Sequence, residues 1–118
     1  MDVSGRHEES GEYLMVAAAV HAGVDANRLD SVRGMGFATS RNPPTFEHAA
    51  GVVADAVDGL PEPPDCPVVA ERGEFYEEPA IRVEQFLGPS FKYVESIAER
   101  ETVQAAHHAA YAARKLFL

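Results

Sequence analysis

Tyr13-Leu14-Met15-Val16-Ala17-Ala18-Ala19-Val20 is the longest uncharged apolar stretch of the chain, and the sheet is built around it. It falls far short of the roughly 20 residues a bilayer-spanning helix requires. Strand alternation sends Met15, Ala17 and Ala19 to one face and Leu14, Val16, Ala18 and Val20 to the other. Both sets are apolar, as in a central strand covered on both sides. Upstream, Gly11 among the polar residues Glu8, Glu9, Ser10 and Glu12 marks a turn, so residues 1–6 contribute a short first strand in a hairpin. Downstream, Asp25, Asn27 and Asp30 form a polar connection to a third strand from Leu29 to Thr39, which carries Val32, Met35 and Phe37 and is interrupted by Gly34 and Gly36.

Asn42-Pro43-Pro44-Thr45 is a helix start: the prolines end the strand, Thr45 can cap, and Glu47 lies near the positive end of the helix dipole. Phe46, Ala49, Ala50, Val53 and Val57 recur at helical spacing to about Val57. The proline-rich segment Leu60 to Pro67 is a stiff loop, after which Val68-Val69-Ala70-Glu71 reads as a buried strand ending in charge. Glu78-Pro79 opens a short helix reaching Gly88, and Phe91 to Ile97 is a fifth strand. The last helix runs from about Glu99 to Leu116, with Glu99 and Glu101 in its first turn and Arg114 and Lys115 in its last. The predicted order is βββαβαβα, without internal repeats or low-complexity segments.

The 118 residues suit one domain, 1–118, and a hydrophobic content of 46% places the net charge of −9 on a foldable chain rather than a disordered one. The acidic, polar N-terminus lacks the basic flank and apolar stretch of a secretory signal, so the expected location is cytoplasmic, with no membrane partner. Cys66 is the single cysteine, which excludes an intramolecular disulfide and a cysteine-based zinc site. Acidity with Arg far in excess of Lys fits a proteome adapted to high salt, where carboxylates keep the surface hydrated. The same charge repels phosphate backbones, so nucleic acid is a partner only through a local basic patch or a metal. Oligomeric state is open.

Three strands followed by alternating helices and strands suggest a mixed sheet with helices on its faces. This order resembles the RNase H-like fold, and three short motifs extend the likeness to its RuvC-like nuclease branch. Asp2-Val3-Ser4-Gly5 is similar to the first-strand element that carries an Asp. Val68-Val69-Ala70-Glu71 is similar to the fourth strand with its Glu. Gln104-Ala105-Ala106-His107-His108-Ala109-Ala110 is similar to the last-helix segment, where that branch has two acids three apart among alanines. The resemblance implies an α/β fold with a five-stranded mixed sheet, its first and fourth strands adjacent and parallel, and an archaeal family of salt-loving type. It further implies metal-dependent phosphodiester hydrolysis on structured DNA or RNA, with Asp2, Glu71 and His107 holding Mg²⁺ or Mn²⁺. Such chemistry needs hard oxygen ligands from separate elements to clamp the scissile phosphate between divalent ions. The chain departs from the pattern in its last helix, where Gln104 and His107 replace the acids; an imidazole can ligate Mn²⁺ or relay a proton. The alternative expectation is a catalytically silent module of the same fold that binds a protein or nucleic acid.

Each candidate also has an ordinary reading. Asp2 can be a terminal residue, Glu71 a solvated charge at a strand end, and His107 a histidine at the border of the apolar stripe Val103, Ala106, Ala110, Ala113 and Phe117. Glu99 and Glu101 complement the helix dipole or supply the acid absent at Gln104. Glu74, Glu77 and Glu78 form an acidic cluster, more often a solvated loop than a metal site. His7, His21, His48 and His108 read as surface or packing residues, and Cys66 as inert. Phe75, Tyr76, Phe86, Phe91 and Tyr93 are core or base-stacking aromatics. A phosphate-binding glycine loop and a Gly-x-Ser-x-Gly elbow are both absent from the sequence.

Overall fold

The computed structural model describes residues 1–6, 11–61 and 66–117; His7, residues 8–10 of the expected turn, residues 62–65 of the expected proline-rich loop, and Leu118 lie outside them. The elements are β1 (Asp2–Ser4), β2 (Met15–Asp25), β3 (Arg28–Ser40), α1 (Phe46–Asp58), β4 (Val69–Ala70), α2 (Ala80–Leu87), β5 (Lys92–Tyr93) and α3 (Ile97–Arg114), closed by a 3₁₀ turn at Lys115–Phe117. The molecule is a mixed α/β fold with an antiparallel sheet β1-β2-β3 and a parallel pair β4-β5. Among the described residues no helix is long and apolar enough to cross a membrane.

The central-strand reading of the apolar run follows from its surroundings. Met15 to Ala19 are all buried, with β1 on one side in the register Asp2↔Ala18 and Ser4↔Val16, and β3 on the other in the register Ala17↔Ala38. The face carrying Met1, Val3, Met15, Ala17 and Ala19 packs on Phe46, Ala49, Ala50, Val53 and Ala56 of α1. Gly36 makes that packing possible, because a Cβ there would lie 2.1 Å from the Ala56 carbonyl oxygen. The opposite face of β2, with Leu14, Val16 and Ala18, lies on the α3 side, where Val103, Ala106 and Ala110 are buried. Thr45 caps α1 by accepting from the His48 amide at 3.2 Å.

The five-stranded sheet expected from the sequence is not formed as one ladder. Between β1 and β4 there is a single main-chain link, the Met1 amino group donating to the Val69 carbonyl at 3.0 Å. The next outward-facing amide of β1, that of Val3, donates instead to the Glu74 carboxylate at 2.8 Å. A side chain thus occupies the position of a ladder partner, and strands of three and two residues have no length to resume pairing. The fifth strand is shorter than the expected Phe91–Ile97 because Ser96 accepts from the Glu99 amide while Glu99 reaches back to the Ser96 amide, a capping box that starts α3 at Ile97. Phe91 serves the core, with its ring 5.8 Å from that of Phe75.

Candidate functional site

Asp2 owes its position to alternation along β1. Met1 and Val3 enter the α1-side core, so Asp2 turns to the α3 side, where only 6% of it is exposed. On α3, His107 follows the fully buried Ala106 at the edge of the inward stripe, and its Nδ1 lies 3.0 Å from Asp2 Oδ2 with the ring half-exposed. The Gly5 that follows lets the chain leave β1: it has φ +89°, and a Cβ there would lie 2.2 Å from Arg114 Nε, which donates to the Leu14 carbonyl.

The third group is Glu74. Beyond β4 a series of tight turns, including Glu74 N–H to Glu71 O at 3.1 Å and Glu78 N–H to Phe75 O at 3.0 Å, folds the chain back toward β1. Phe75 anchors it, fully buried and edge-on to Phe46 and Phe91. Tyr76 and Glu77 then adopt left-handed backbone, φ 56° and 62°, which side chains rarely take. Tyr76 is held there by its hydroxyl on the Pro44 carbonyl and by the Arg6 guanidinium 5.3 Å from its ring centre. Glu74 Oε1 accepts from the Val3 amide and from Arg6, and the Glu74 carboxyl shares a hydrogen bond with Asp2.

This pairing sets the protonation of the site. Burial raises Glu74 to a pKa of about 7; Arg6 pulls it down, while the charge and hydrogen bond of Asp2 push it up further. Burial also lowers the Met1 amino group, against the opposing pull of Asp2 and Glu74. Glu74 is therefore the group of this site whose proton affinity is raised toward neutrality, with Asp2 and the half-exposed His107 ring beside it.

Glu71 stands at the end of β4. Its neighbour Ala70 belongs to the α1-side core, so alternation sends Glu71 to the same side as Asp2, with Oε1 3.9 Å from Arg100 Nε. Asp2 and His107 are thus brought into contact, and Glu71 engages α3 two turns before His107. Among the described residues no group of three His, Cys, Asp or Glu side chains converges as a metal cage, since Glu74 is turned to Arg6 and Val3 and His107 to Asp2. Gln104 and His108 are exposed, Glu99 serves the cap and the Lys92 ammonium, and Glu101 accepts from the Leu29 amide at 2.8 Å.

Sequence reasoning missed Glu74 and Arg6. Glu74 reads as one of three acids in a solvated loop, whereas it is as buried as the neighbouring anchor allows. The available signal was Phe75: an aromatic residue in an otherwise charged loop drags the adjacent residue inward with it.

No solved structure matches the chain. A protein of Methanocaldococcus jannaschii described as "Uncharacterized protein MJ0095" is 25% identical over 119 residues, spanning 100% of this chain and 94% of that one. The sequence model of the family described as "Uncharacterized protein conserved in archaea (DUF2209)" matches residues 1–118 throughout, in agreement with the archaeal origin implied by the sequence, and the chain belongs to this family.

Proposed function

We propose that the protein is a divalent-metal-dependent phosphodiesterase with an RNase H-like arrangement, acting on structured DNA or RNA. The observation that carries this reading is the buried Asp2–Glu74 carboxyl pair with His107 against it. Two neighbouring carboxyls are stabilised by a shared proton or by positive charge, which Arg6 supplies in part and a bound cation would complete. What supports the fold reading is the element order βββαβαβα and the bond from the Met1 amino group, just before β1, to the Val69 carbonyl of β4.

The donor set suits a hard cation: oxygen ligands from separate elements, with an imidazole that Mn²⁺ accepts. Asp2 and Glu74 would hold Mg²⁺ or Mn²⁺, with Glu71 on the same side of the sheet and His107 beside them. When bound, the ion supplies Lewis acidity toward the phosphate and lowers the pKa of water. Asp2 orients the His107 ring through Nδ1, leaving Nε2 free to move a proton to or from solvent or a leaving oxygen. Arg6, released from Glu74, offers its guanidinium to phosphate oxygens.

A second reading, a silent RNase H-like module that binds a partner, is favoured by one feature: Arg6 already compensates Glu74 within the protein. A cleavage assay separates the two. Branched DNA and stem-loop RNA, incubated with Mg²⁺ or Mn²⁺, are cut by the wild type and left intact by Asp2→Asn if the site is catalytic. Equal residual cleavage by both proteins, or none by either, refutes the phosphodiesterase.

A further inference from the structure

We infer that the outer edge of β3 over residues 35–39 is a docking edge. It takes an extended apolar segment of another protein, with Asp or Glu at its ends, as a further strand of the sheet.

Alternation fixes what this edge presents. The Val3 amide points away from β2, so Asp2 and Ser4 are the residues of β1 that exchange hydrogen bonds with Ala18 and Val16. Ala17, Ala19 and His21 therefore bond Ala38, Gly36 and Gly34, and the N–H and C=O groups of Met35, Phe37 and Thr39 point outward. Among the described residues nothing pairs with these outward groups. The side chains of Met35 and Phe37 stand beside Val20 and Ala18 on the α3 side of the sheet, yet they are 40% and 46% exposed. Glu101 on the Leu29 amide sets Ala105 and Ala109 on the β3 side of α3, and side chains so short leave Met35 and Phe37 open.

The rest of β3 shows how an edge is guarded. Over residues 28–34 the register against β2 is irregular in two places, Asp30 and Arg33 bring charge, and Glu101 occupies the Leu29 amide. Over residues 35–39 the ladder is regular, and Met-Gly-Phe-Ala-Thr contains neither charge nor proline. An unguarded apolar stretch within a guarded strand suits the addition of a strand, with main-chain bonds for affinity and alternate side chains for selection.

The two ends of the stretch define the occupant. Arg33 and Arg41 bracket it, and both are exposed. Among the described residues they are the basic side chains without a partner; the others are held by acids, by tyrosine rings or, for Arg114, by the Leu14 carbonyl. Glu12 borders Arg41, and Asp30 lies in the same strand as Arg33, but neither comes within ion-pair distance. In a chain of net charge −9, two unpaired guanidinium groups on either side of an open edge select acids. A strand antiparallel to β3 sets apolar residues opposite Met35, Phe37 and Thr39 and an acid opposite Arg41. A second acid falls near Arg33, whose guanidinium lies beside Gly23 at the irregularity. A second copy paired two-fold through Phe37 would instead bring Arg33 of each chain toward Arg41 of the other, like charge against like at both ends.

The test is amide hydrogen exchange of the full chain in about 0.1 M salt, where charges more than about 10 Å away are screened. The probe is the capped peptide Asp-Thr-Val-Thr-Val-Thr-Val-Thr-Asp at millimolar concentration. The expected result at saturation is slowing by about tenfold or more at Met35, Phe37 and Thr39. The same peptide with Lys at both ends, or N-methylated at the three Val amides, leaves exchange there unchanged. Arg33→Gln combined with Arg41→Gln, both at exposed positions, removes the slowing by the Asp-ended peptide at an unchanged melting temperature. If the double variant fails to fold, the Lys-ended peptide remains the control for charge. The inference is overturned by unchanged exchange with the Asp-ended peptide or by equal slowing with the Lys-ended one. Slowing that needs no peptide and grows with protein concentration also overturns it, and identifies a second copy as the occupant.

Discussion

His107 Nδ1 lies 3.0 Å from Asp2 Oδ2, a bond between residues 105 apart in sequence that ties the closing helix to the first strand. In the proposed reaction Nδ1 is engaged by Asp2, so His107 would carry a proton through Nε2 in an orientation that Asp2 fixes. His107→Gln is expected to reduce phosphodiester cleavage by about 10² to 10⁴, the usual range for a positioned acid or base. Stability should change by no more than about 1 kcal/mol, since the ring is half-exposed. Single-turnover cleavage and urea unfolding of the same preparations check both halves.

The Glu74 pKa of about 7 makes stability depend on pH in a defined direction. A carboxyl raised in the folded state binds more protons there than in the unfolded chain between its ordinary value and 7. Its contribution is therefore complete at low pH and is lost as pH rises through 7. The lowered Met1 amino group works in the opposite direction, so the comparison must be between variants. Glu74→Gln keeps a hydrogen-bond acceptor for the Val3 amide but cannot titrate. Relative to wild type it should gain stability as pH rises from 5 to 8, by up to about 3 kcal/mol on the scale of 1.4 kcal/mol per pK unit. Melting temperatures across that range measure the difference.

Glu71 and Glu74 differ in what they touch, and their variants should differ accordingly. Glu71 meets Arg100 at 3.9 Å across a partly exposed gap, so Glu71→Gln should alter stability by less than about 1 kcal/mol. Glu74→Gln should abolish metal-dependent cleavage, and Glu71→Gln should reduce it less. A kinetic comparison under identical metal conditions decides the order.

Two backbone substitutions test the scaffold. Gly5→Ala must place a Cβ 2.0 Å from the Leu14 carbonyl oxygen at φ +89°, and should destabilise by about 2 kcal/mol or more while loosening Arg114. Ser96→Ala removes the capping box of α3 and should cost about 1 kcal/mol. Denaturant titration reads both.

The fold was legible wherever a local pattern dictated it. The run from Tyr13 to Val20 marks a doubly covered strand, Thr45 marks the start of α1, and the spacing of Val103, Ala106 and Ala110 marks the buried side of α3. The split of the sheet was not legible, because it depends on Glu74 taking the Val3 amide across a separation of 71 residues. The same long-range event hid half of the candidate site. Asp2 and His107 could be singled out from motif context, but Glu74 looked like loop charge until Phe75 was seen to carry it inward. Ser96 carried a readable signal, being three residues before Glu99, yet the adjoining apolar residues suggested strand there.

The most direct test of the carboxyl pair as a cation site is thermal melting at neutral pH against Mn²⁺ concentration, with wild type and Asp2→Asn side by side. A cation site at this pair gives a saturable rise for wild type, equivalent to about 3 kcal/mol at a hundred times Kd, and no rise for Asp2→Asn. A wild-type melting temperature that stays flat to millimolar Mn²⁺, or that rises equally in Asp2→Asn, would contradict it.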